Sequence, residues 1–303
     1  MALQFIRKTQ GPPVISAASS NTISDAYRDA ITISYQYLNA VVPSTAFTLN
    51  GRTYETPVMA GPIGVHGKGT GMLGYAKAVT AAGSLYWADF HDPDAWASVL
   101  KEGYSALRVI KPLADIDRVV DLVRADTEAG AAGYAMDIDH GMTAYGEVDG
   151  QKEAFAPKTL DDLRRINEAS PLPFFLKGVL SVHDAMIAKE AGVAGFVVSG
   201  HNNRFPCAVP PLKILPELRK AVGRDMMIFV DGGINTGFDA FKALALGADG
   251  VLSARTLCAA FVKDGEEGLT YKLLELTAEL KGAMANTGSP DLAHINTGSI
   301  ILP

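Results

Sequence analysis

A lysine closes the strongly apolar run Pro-Phe-Phe-Leu-Lys at residues 173–177. Burying an ammonium group costs several kcal/mol unless a partner compensates for the lost hydration. Lys177 therefore needs an anionic partner, an acceptor-rich ligand, or a covalent role such as a Schiff base. The structural alternative is an ion pair with Asp139 or Asp231 that only stabilises its surroundings.

His201 and Arg204 lie three residues apart in the segment Val-Val-Ser-Gly-His-Asn-Asn-Arg (197–204). Histidine is the side chain most often used as a base near neutral pH, and the guanidinium of arginine binds a carboxylate through two parallel hydrogen bonds. A solvated loop histidine is the alternative for an isolated residue. Together with Lys177, however, the two residues predict a site for a small anionic substrate.

Asp137 and Asp139 follow another apolar run and could orient His201. They share a face only if the strand continues through both, because side chains alternate along a strand. Asp139 is the predicted partner of His201, and Asp137 is the alternative. With His140 and His201 these aspartates also offer metal-ligand types, but no spaced ligand motif accompanies them. We therefore expect no metal.

Two further segments indicate a phosphate site. Phe-Val-Asp-Gly-Gly-Ile-Asn-Thr-Gly (229–237) is rich in glycine and precedes a predicted helix, and Leu-Ser-Ala-Arg (252–255) follows it. Backbone N–H groups at a helix start, together with a cation, bind phosphate in many α/β proteins. Glycine-rich turns also arise for steric reasons, but the two segments together indicate a phosphorylated ligand or cofactor.

Eight short apolar runs must position these residues, and continuous apolar runs are typical of parallel strands covered on both faces. The runs are 57–61, 84–88, 107–111, 133–137, 173–178, 195–199, 226–231 and 250–254. From Gly61 to Arg255 the strand ends advance by 255 − 61 = 194 residues in seven steps, or about 28 per step, near the length of a βαβ unit. The sequence predicts an α/β fold with a closed (β/α)8 TIM barrel over residues 57–289. An open doubly wound sheet is the alternative, but no Gly-x-Gly-x-x-Gly motif follows the first strand.

Catalytic residues of such barrels lie at the carboxyl ends of the strands. The polar residues found there are His66, Asp89, His91, Lys111, Asp137, Asp139, His140, Lys177, Ser199, His201, Asp231 and Arg255. Residues 1–56 are predicted to form an extension that caps the barrel, with a helix at 24–38 and a hairpin at 47–54 that together cover one end. Residues 290–303 are predicted to form a loosely ordered tail.

The composition argues against several classes of partner. The chain has 303 residues, with 27 Lys and Arg against 33 Asp and Glu, which gives a net charge of −6. Without a basic block it lacks the cationic surface that nucleic acid requires. No apolar run approaches the ~18 residues of a membrane span. Cys207 and Cys258 are too few for a disulfide framework, so we expect a cytoplasmic protein.

Four segments resemble the FMN-dependent α-hydroxy acid dehydrogenases and oxidases, the group of glycolate oxidase and lactate oxidase. They are 174–178, 197–204, 229–237 and Phe-Lys-Ala-Leu-Ala-Leu-Gly-Ala-Asp-Gly (241–250), and the likeness is nearly gapless from about residue 172 to 289. The resemblance implies an FMN-binding barrel that oxidises a 2-hydroxy acid, a small carboxylate, to a 2-keto acid. It also implies a homo-oligomer, namely a tetramer.

The resemblance implies roles for individual residues as well. His201 would take the proton of the substrate hydroxyl, Asp139 would support it, and Arg204 would bind the substrate carboxylate. Lys177 would stabilise negative charge on the reduced flavin. The other cofactor contacts would be Pro62, Ile63, Gly64, Asp89, Arg108, Ser199, Asp231, Gly232, Gly233, Asn235, Ala254 and Arg255.

The chain departs from the family pattern at several positions. Arg108 and Ile110 stand where the third strand usually carries a glutamine and a tyrosine, Asp137 replaces a threonine, and Asn235 replaces a second phosphate-binding arginine. Alternatives therefore remain open: an FMN-binding barrel with a different reaction, a flavin-free lyase or aldolase with Lys177 as its Schiff base, and a non-catalytic binding protein.

Overall fold

The fold is a closed barrel of eight parallel strands, seen in a computed structural model that describes residues 19–64, 71–89, 92–149 and 154–303. The strands, in chain order, are β1 (Val58–Ala60), β2 (Tyr86–Ala88), β3 (Ala106–Ile110), β4 (Tyr134–Asp137), β5 (Phe174–Val179), β6 (Gly195–Val198), β7 (Met227–Val230) and β8 (Gly250–Ser253). Neighbours in the chain are neighbours in the barrel, and β8 closes the barrel by pairing with β1. The predicted (β/α)8 barrel is confirmed.

A helix follows each strand and packs on the outside of the barrel. The helices are α1 (Gly71–Ala81), α2 (Pro93–Lys101), α3 (Ile116–Glu128), α4 (Leu160–Asn167), α5 (Val182–Glu190), α6 (Pro211–Val222), α7 (Gly237–Ala245) and α8 (Arg255–Ala285). Ser181 and Thr236 cap two of these helices, since they accept hydrogen bonds from the third residue of α5 and α7. Within the described part of the chain, no helix combines the length and the apolar character that a membrane crossing requires.

Large apolar side chains fill the barrel interior. Trp87, Phe175 and Phe229 come from three different strands, and their ring centroids lie 5.3 to 5.4 Å apart. All three are fully buried. Because side chains alternate along a strand, the next inward positions toward the carboxyl ends lie above this apolar floor. Polar residues at those positions therefore line the mouth of the barrel.

The segments that flank the barrel cover both of its ends. The hairpin of Phe47–Leu49 and Arg52–Tyr54 is confirmed, and it packs at the amino ends of the strands, where the Phe47 ring lies 6.2 Å from that of Phe229. The helix Ser20–Ala30, shorter than the predicted 24–38, lies at the opposite end, where Arg28 donates to the carbonyl of Gly233 at 2.7 Å. The two segments therefore do not cover one end together.

The C-terminal tail is attached to the rest of the chain. Ile300–Ile301 forms an antiparallel pair with Thr32–Ile33, and the side chain of Asn296 caps a short turn just before it. The prediction of a loosely ordered tail is wrong, because this pairing with a segment more than 260 residues away is invisible in the local sequence pattern.

Candidate active site

A cavity of about 420 Å3 opens at the carboxyl ends of the strands. Most of the predicted site residues line it. Several residues that were not predicted to contact substrate or cofactor line it as well. The lining comprises Pro62, Ile63, Gly64, Asp89, Val109, Lys111, Asp137, His140, Lys177, His201, Asn202, Asp231, Gly232, Gly233, Ile234, Asn235, Leu252, Ala254 and Arg255. His66 and His91 lie outside the described residues.

The floor of the cavity is a buried ion cluster. Asp137 at the end of β4 accepts a hydrogen bond from Lys111 at 2.6 Å, and its other oxygen lies 3.1 Å from the ammonium of Lys177. Burial opposes ionisation of Asp137, but the charges of Lys177 and Lys111 outweigh it and lower the pKa of the carboxyl. Asp137 is therefore an anion that two lysines share.

Lys177 is held in its charged form. It is buried, which opposes its charge, but Asp137 and then Asp231, whose carboxylate lies 3.6 Å away, raise the pKa of the ammonium. The sequence raised an ion pair with Asp139 or Asp231 as the structural alternative. The structure adds Asp137 as the nearest acid.

His201 is oriented by Asp139. The imidazole Nδ1 lies 2.8 Å from one carboxylate oxygen of Asp139 and 3.8 Å from Asp137. The strand ends at Asp137 and a single 3-10 turn, Ile138–His140, follows it, so Asp139 reaches His201 from the turn. Gly178 permits this approach, because a Cβ at that residue would lie 2.8 Å from the Asp139 carboxyl carbon.

Three consecutive left-handed residues shape the loop that carries the imidazole. His201, Asn202 and Asn203 have φ angles of 43°, 54° and 64°. Asparagine tolerates this conformation better than most residues, because its short polar side chain can bond locally. Asn203 accepts a hydrogen bond from the backbone of Ser20 at 2.6 Å, which ties the loop to the N-terminal helix and fixes the position of the histidine.

Arg204 lies beside the cavity and is engaged by the protein itself. Its guanidinium donates to the carbonyls of Asp139 at 2.7 Å and Met142 at 3.2 Å, and to the carboxylate of Asp149. Arg204 is not among the described residues that line the cavity. The predicted carboxylate-binding residue is thus close to His201, but its side chain holds Asp139 and Asp149.

His140 adds a second histidine to the wall of the cavity. Its Nδ1 lies 2.9 Å from Asp149, and its ring centroid lies 4.7 Å from that of His201. Burial, followed by the nearby charge of Lys111, lowers the pKa of His140 to about 4. Its Nε2 is buried and has no hydrogen-bond partner among the described residues. The sequence placed this residue among the strand-end candidates and considered it as a metal ligand, with no role for it beside His201.

Ligand atoms of Asp137, His140 and His201 lie within 4.8 Å of one another, so they could reach one metal ion. Two ammonium groups already share Asp137. Since these positive charges would repel a cation, the cluster is poorly suited to hold a metal.

Arg108 lies on the wrong face of β3 for the predicted flavin contact. It points outward into the layer between strand and helix, where it donates to Asp126 of α3 at 2.7 and 2.8 Å. The prediction that Arg108 faces the mouth is wrong because the assumed register was shifted by one residue, which reverses the face of every side chain. Val109 and Lys111 face the cavity instead, and the alternation along β3 could have identified Lys111.

Ser199 also lies away from this cavity. It accepts a hydrogen bond from the backbone N–H of His201 at 3.2 Å and lines a neighbouring cavity with Gly178 and Asp139. The strand ends at Val198, so the alternation that would have turned Ser199 inward stops one residue too early. The predicted cofactor contact at Ser199 is therefore corrected to a support for the His201 loop.

The opposite side of the cavity has the features of a phosphate site. Gly232 and Gly233 have φ angles of 83° and 86°, and Arg255 is the first residue of α8. Asn235 and Ala254 line the same wall. Helix starts and glycine turns present backbone N–H groups to anions. We call these five residues the phosphate end, and Lys111, Asp137, Asp139, His140 and His201 the substrate end.

These two ends suit FMN. The phosphate end offers N–H groups and a cation for the phosphate, and charged Lys177 suits the pyrimidine end of a flavin, where negative charge develops on reduction. Pro62, Ile63, Gly64 and Asp89 line the same cavity. The donors and charges present thus fit the cofactor that the resemblance implies.

A family model described as FMN-dependent dehydrogenase matches residues 147–302. An L-lactate oxidase from Alicycliphilus denitrificans is 43% identical over 136 residues, which are 45% of this chain and 37% of the relative. A 4-hydroxymandelate oxidase from Amycolatopsis orientalis is 37% identical over 54% of this chain and 45% of its own length. This chain thus matches less than half the length of either relative.

Longer matches also exist. A peroxisomal (S)-2-hydroxy-acid oxidase from Oryza sativa subsp. japonica is 29% identical over 84% of this chain and 80% of its own. A crystal structure of mandelate oxidase superposes with a TM-score of 0.84 and 26% identity, and the match covers 95% of this chain and 92% of that one.

Proposed function

Because this chain belongs to the FMN-dependent dehydrogenase family, we propose that it uses FMN to oxidise a 2-hydroxy acid to a 2-keto acid. One observation carries the proposal: the His201–Asp139 pair and charged Lys177 meet at one end of a cavity whose other end is suited to a phosphate. Lactate, hydroxymandelate and 2-hydroxy-acid oxidases among the relatives support the same substrate class.

His201 carries the proton step in this proposal. Its Nδ1 is committed to Asp139, so Nε2 is the ring nitrogen that accepts the proton of the substrate hydroxyl. Asp139 then stabilises the imidazolium that results. When bound, FMN supplies the acceptor for the hydride that leaves the substrate carbon as its hydroxyl becomes a carbonyl. Arg204 contributes by fixing the backbone of Asp139.

Cofactor binding is assigned to the remaining residues. Gly232, Gly233 and Arg255 would bind the phosphate, and Asp231 would contact the ribityl chain. Lys177, charged at neutral pH, would face the pyrimidine end of the flavin. The same charge weighs against the lyase alternative, because a Schiff base forms from a neutral amine and Asp137 and Asp231 keep Lys177 protonated.

The assembly and its compartment are part of the proposal. Apolar side chains before the hairpin are strongly exposed: 73% for Tyr37, 100% for Leu38 and 93% for Val42. Exposed apolar patches mark contact surfaces, which supports a homo-oligomer, namely the tetramer implied by the family. The two cysteines, exposed Cys207 and buried Cys258, are too few for a disulfide framework, which supports a reducing compartment such as the cytoplasm. Light scattering of the purified chain should give the mass of a tetramer, and a monomer would contradict this assignment.

Anaerobic absorbance spectroscopy tests the proposed reaction. The purified protein, supplied with FMN, should show flavin absorbance that bleaches when lactate, glycolate or mandelate is added. The variant His201→Ala should bind FMN but bleach far more slowly, whereas His183→Ala, which alters an exposed histidine on α5, should behave as the wild type. A protein that does not bind FMN, or flavin that none of these acids bleaches, would overturn the proposal.

A further inference from the structure

Arg28 is a buried arginine that lies behind the phosphate end of the cavity. It belongs to the N-terminal helix Ser20–Ala30, and its guanidinium donates a hydrogen bond to the carbonyl oxygen of Gly233 at 2.7 Å. The packing is close, because a Cβ at Gly233 would overlap Nη1 of Arg28. A residue of the N-terminal extension thus lies directly against a glycine that is assigned to the cofactor.

Arg28 also reaches the far side of the same loop through an acid. We call residues 232–236 the glycine loop. Nε of Arg28 lies 3.3 Å from one carboxylate oxygen of Asp239. The other oxygen of Asp239 accepts hydrogen bonds from the backbone N–H groups of Asn235 at 3.1 Å and Thr236 at 3.0 Å. Arg28 therefore holds the glycine loop at two points, once directly and once through Asp239.

The hydrogen bond to Gly233 determines which way the next N–H group points. The peptide between Gly233 and Ile234 is trans, so its carbonyl and its N–H lie on opposite sides. With the carbonyl turned to Arg28, the N–H of Ile234 points away from that side chain. Both residues line the cavity. Among the described residues, none accepts a hydrogen bond from the N–H groups of Gly232, Gly233 and Ile234. Successive N–H groups of this kind in a turn bind anions.

The charge of Arg28 is already compensated. Its guanidinium lies 2.6 Å from Asp25, 2.9 Å from Asp29 and 3.3 Å from Asp239. These three carboxylates leave it no uncompensated positive charge to offer to a phosphate. Arg28 is also not among the described residues that line the cavity. Its contribution therefore comes through the position of the glycine loop and not through contact with the ligand.

We propose that Arg28 is a positioning residue for the phosphate of FMN, which holds the glycine loop so that its N–H groups face the phosphate. The inference rests on the proposed function and adds a residue of the N-terminal extension to the support of the cofactor site. Because coupling between two sites is reciprocal, a bound phosphate also stabilises the docked N-terminal helix.

Comparing FMN with riboflavin isolates the phosphate, because riboflavin has the same ring and ribityl chain but no phosphate. Quenching of flavin fluorescence gives the Kd of each. Wild type should bind FMN about hundredfold more tightly than riboflavin, as several charge-assisted hydrogen bonds would give. Arg28→Met should lower this preference by about tenfold, the value of one misplaced contact, and leave the Kd of riboflavin within about twofold. Arg28→Lys should lie between the two, because a lysine lacks the planar fork that serves Gly233 and Asp239 together.

Arg108→Met is the matched control, because it removes another buried arginine, which pairs with Asp126 away from the cavity. It should lose stability and keep the preference for FMN over riboflavin. Hydrogen exchange of the wild type is a second measurement that needs no variant. Saturating FMN should slow exchange in residues 20–30 more than saturating riboflavin does. This measurement decides the matter if Arg28→Met does not fold.

The outcomes separate this inference from the function on which it rests. An unchanged preference for FMN in Arg28→Met, or an equal loss of affinity for both flavins, would overturn the role of Arg28 and leave the proposed function intact. Equal slowing of exchange by FMN and riboflavin would also overturn that role. If wild type bound FMN but no 2-hydroxy acid bleached it, the proposed reaction would fail and the comparison of flavins would still decide the role of Arg28. If wild type bound neither flavin, both would fail.

Discussion

The two ends of the cavity are built in different ways. The phosphate end uses backbone: two glycines with positive φ, the start of α8, and one arginine on two neighbouring loops. The substrate end uses side chains at or just after the ends of β3, β4 and β6, which are held to one another and to Lys177 of β5 by ion pairs. Backbone donors survive every substitution except one to proline, whereas each side chain of the network can be exchanged. The two ends should therefore respond differently to substitution.

Removing the His201 base should give the largest effect, and this effect should be a loss of catalysis at the substrate end without a loss of FMN binding. His201→Ala is expected to lower kcat/KM by about 10²- to 10⁴-fold, the usual contribution of a positioned base. The Kd for FMN should stay within about twofold, because His201 acts on substrate. Stopped-flow reduction and FMN titration measure the two quantities. A variant that reduced its flavin at the wild-type rate would remove His201 from the mechanism.

Breaking the buried pair outside the barrel should affect neither end. Arg108→Met leaves Asp126 buried without its cation, so we expect a loss of about 3–5 kcal/mol in the free energy of unfolding and an unchanged Kd for FMN. Arg165→Met, which breaks an exposed pair with Asp117, should cost less than about 1 kcal/mol. Urea unfolding measures both. If the folded Arg108→Met variant bound FMN more weakly than the wild type, Arg108 would contribute to the cofactor site after all.

Acid should destabilise the substrate end through His140. Its pKa in the folded protein, about 4, lies below the usual 6.5, so the unfolded chain binds more protons between these values. The contribution of neutral His140 to the free energy of unfolding is therefore fully present above pH 6.5. It is lost as the pH falls toward 4, and the whole contribution is roughly 3 kcal/mol.

Urea unfolding at pH 7 and pH 4.5 measures this loss. His140→Phe should lose less stability between the two pH values than the wild type, and His183→Phe should lose as much as the wild type. Equal losses in all three proteins would mean that His140 is not held neutral in the fold.

Substituting the arginine of the phosphate end should weaken FMN binding without changing turnover. Arg255→Met is expected to raise the Kd for FMN by about tenfold to hundredfold, since one charge-assisted contact to the phosphate is lost. At saturating FMN its turnover should approach that of the wild type. Arg224→Met, at an exposed arginine, serves as the control in fluorescence titrations. A turnover defect that persists at saturation would show that the two ends are not independent.

The sequence contained enough information for the barrel and for the position of the phosphate end in it. Apolar runs at a regular interval follow from the fold itself, because each parallel strand is covered on both faces and each is followed by a helix. That Gly232, Gly233 and Arg255 line one cavity could be predicted because glycines before a helix start and an arginine one unit later form a local pattern; their phosphate contacts stay a prediction.

The substrate end could be predicted only in part. His201 and Asp139 were paired correctly, since both follow strand ends. Arg108 was misplaced because a shift of one residue reverses a strand face, and the ion pair between Arg204 and Asp149 depends on a segment after β4 whose path has no repeating pattern. Lys111 was visible as a strand-end lysine, but its partner became apparent only when β3 and β4 were seen side by side.

A crystal structure of the protein reconstituted with FMN tests the division into two ends most directly. We predict a phosphate bound by Gly232, Gly233 and Arg255, with the pyrimidine ring against Lys177 and with His201 facing the reacting side of the flavin. An FMN bound in the reverse orientation, or outside this cavity, would contradict the account.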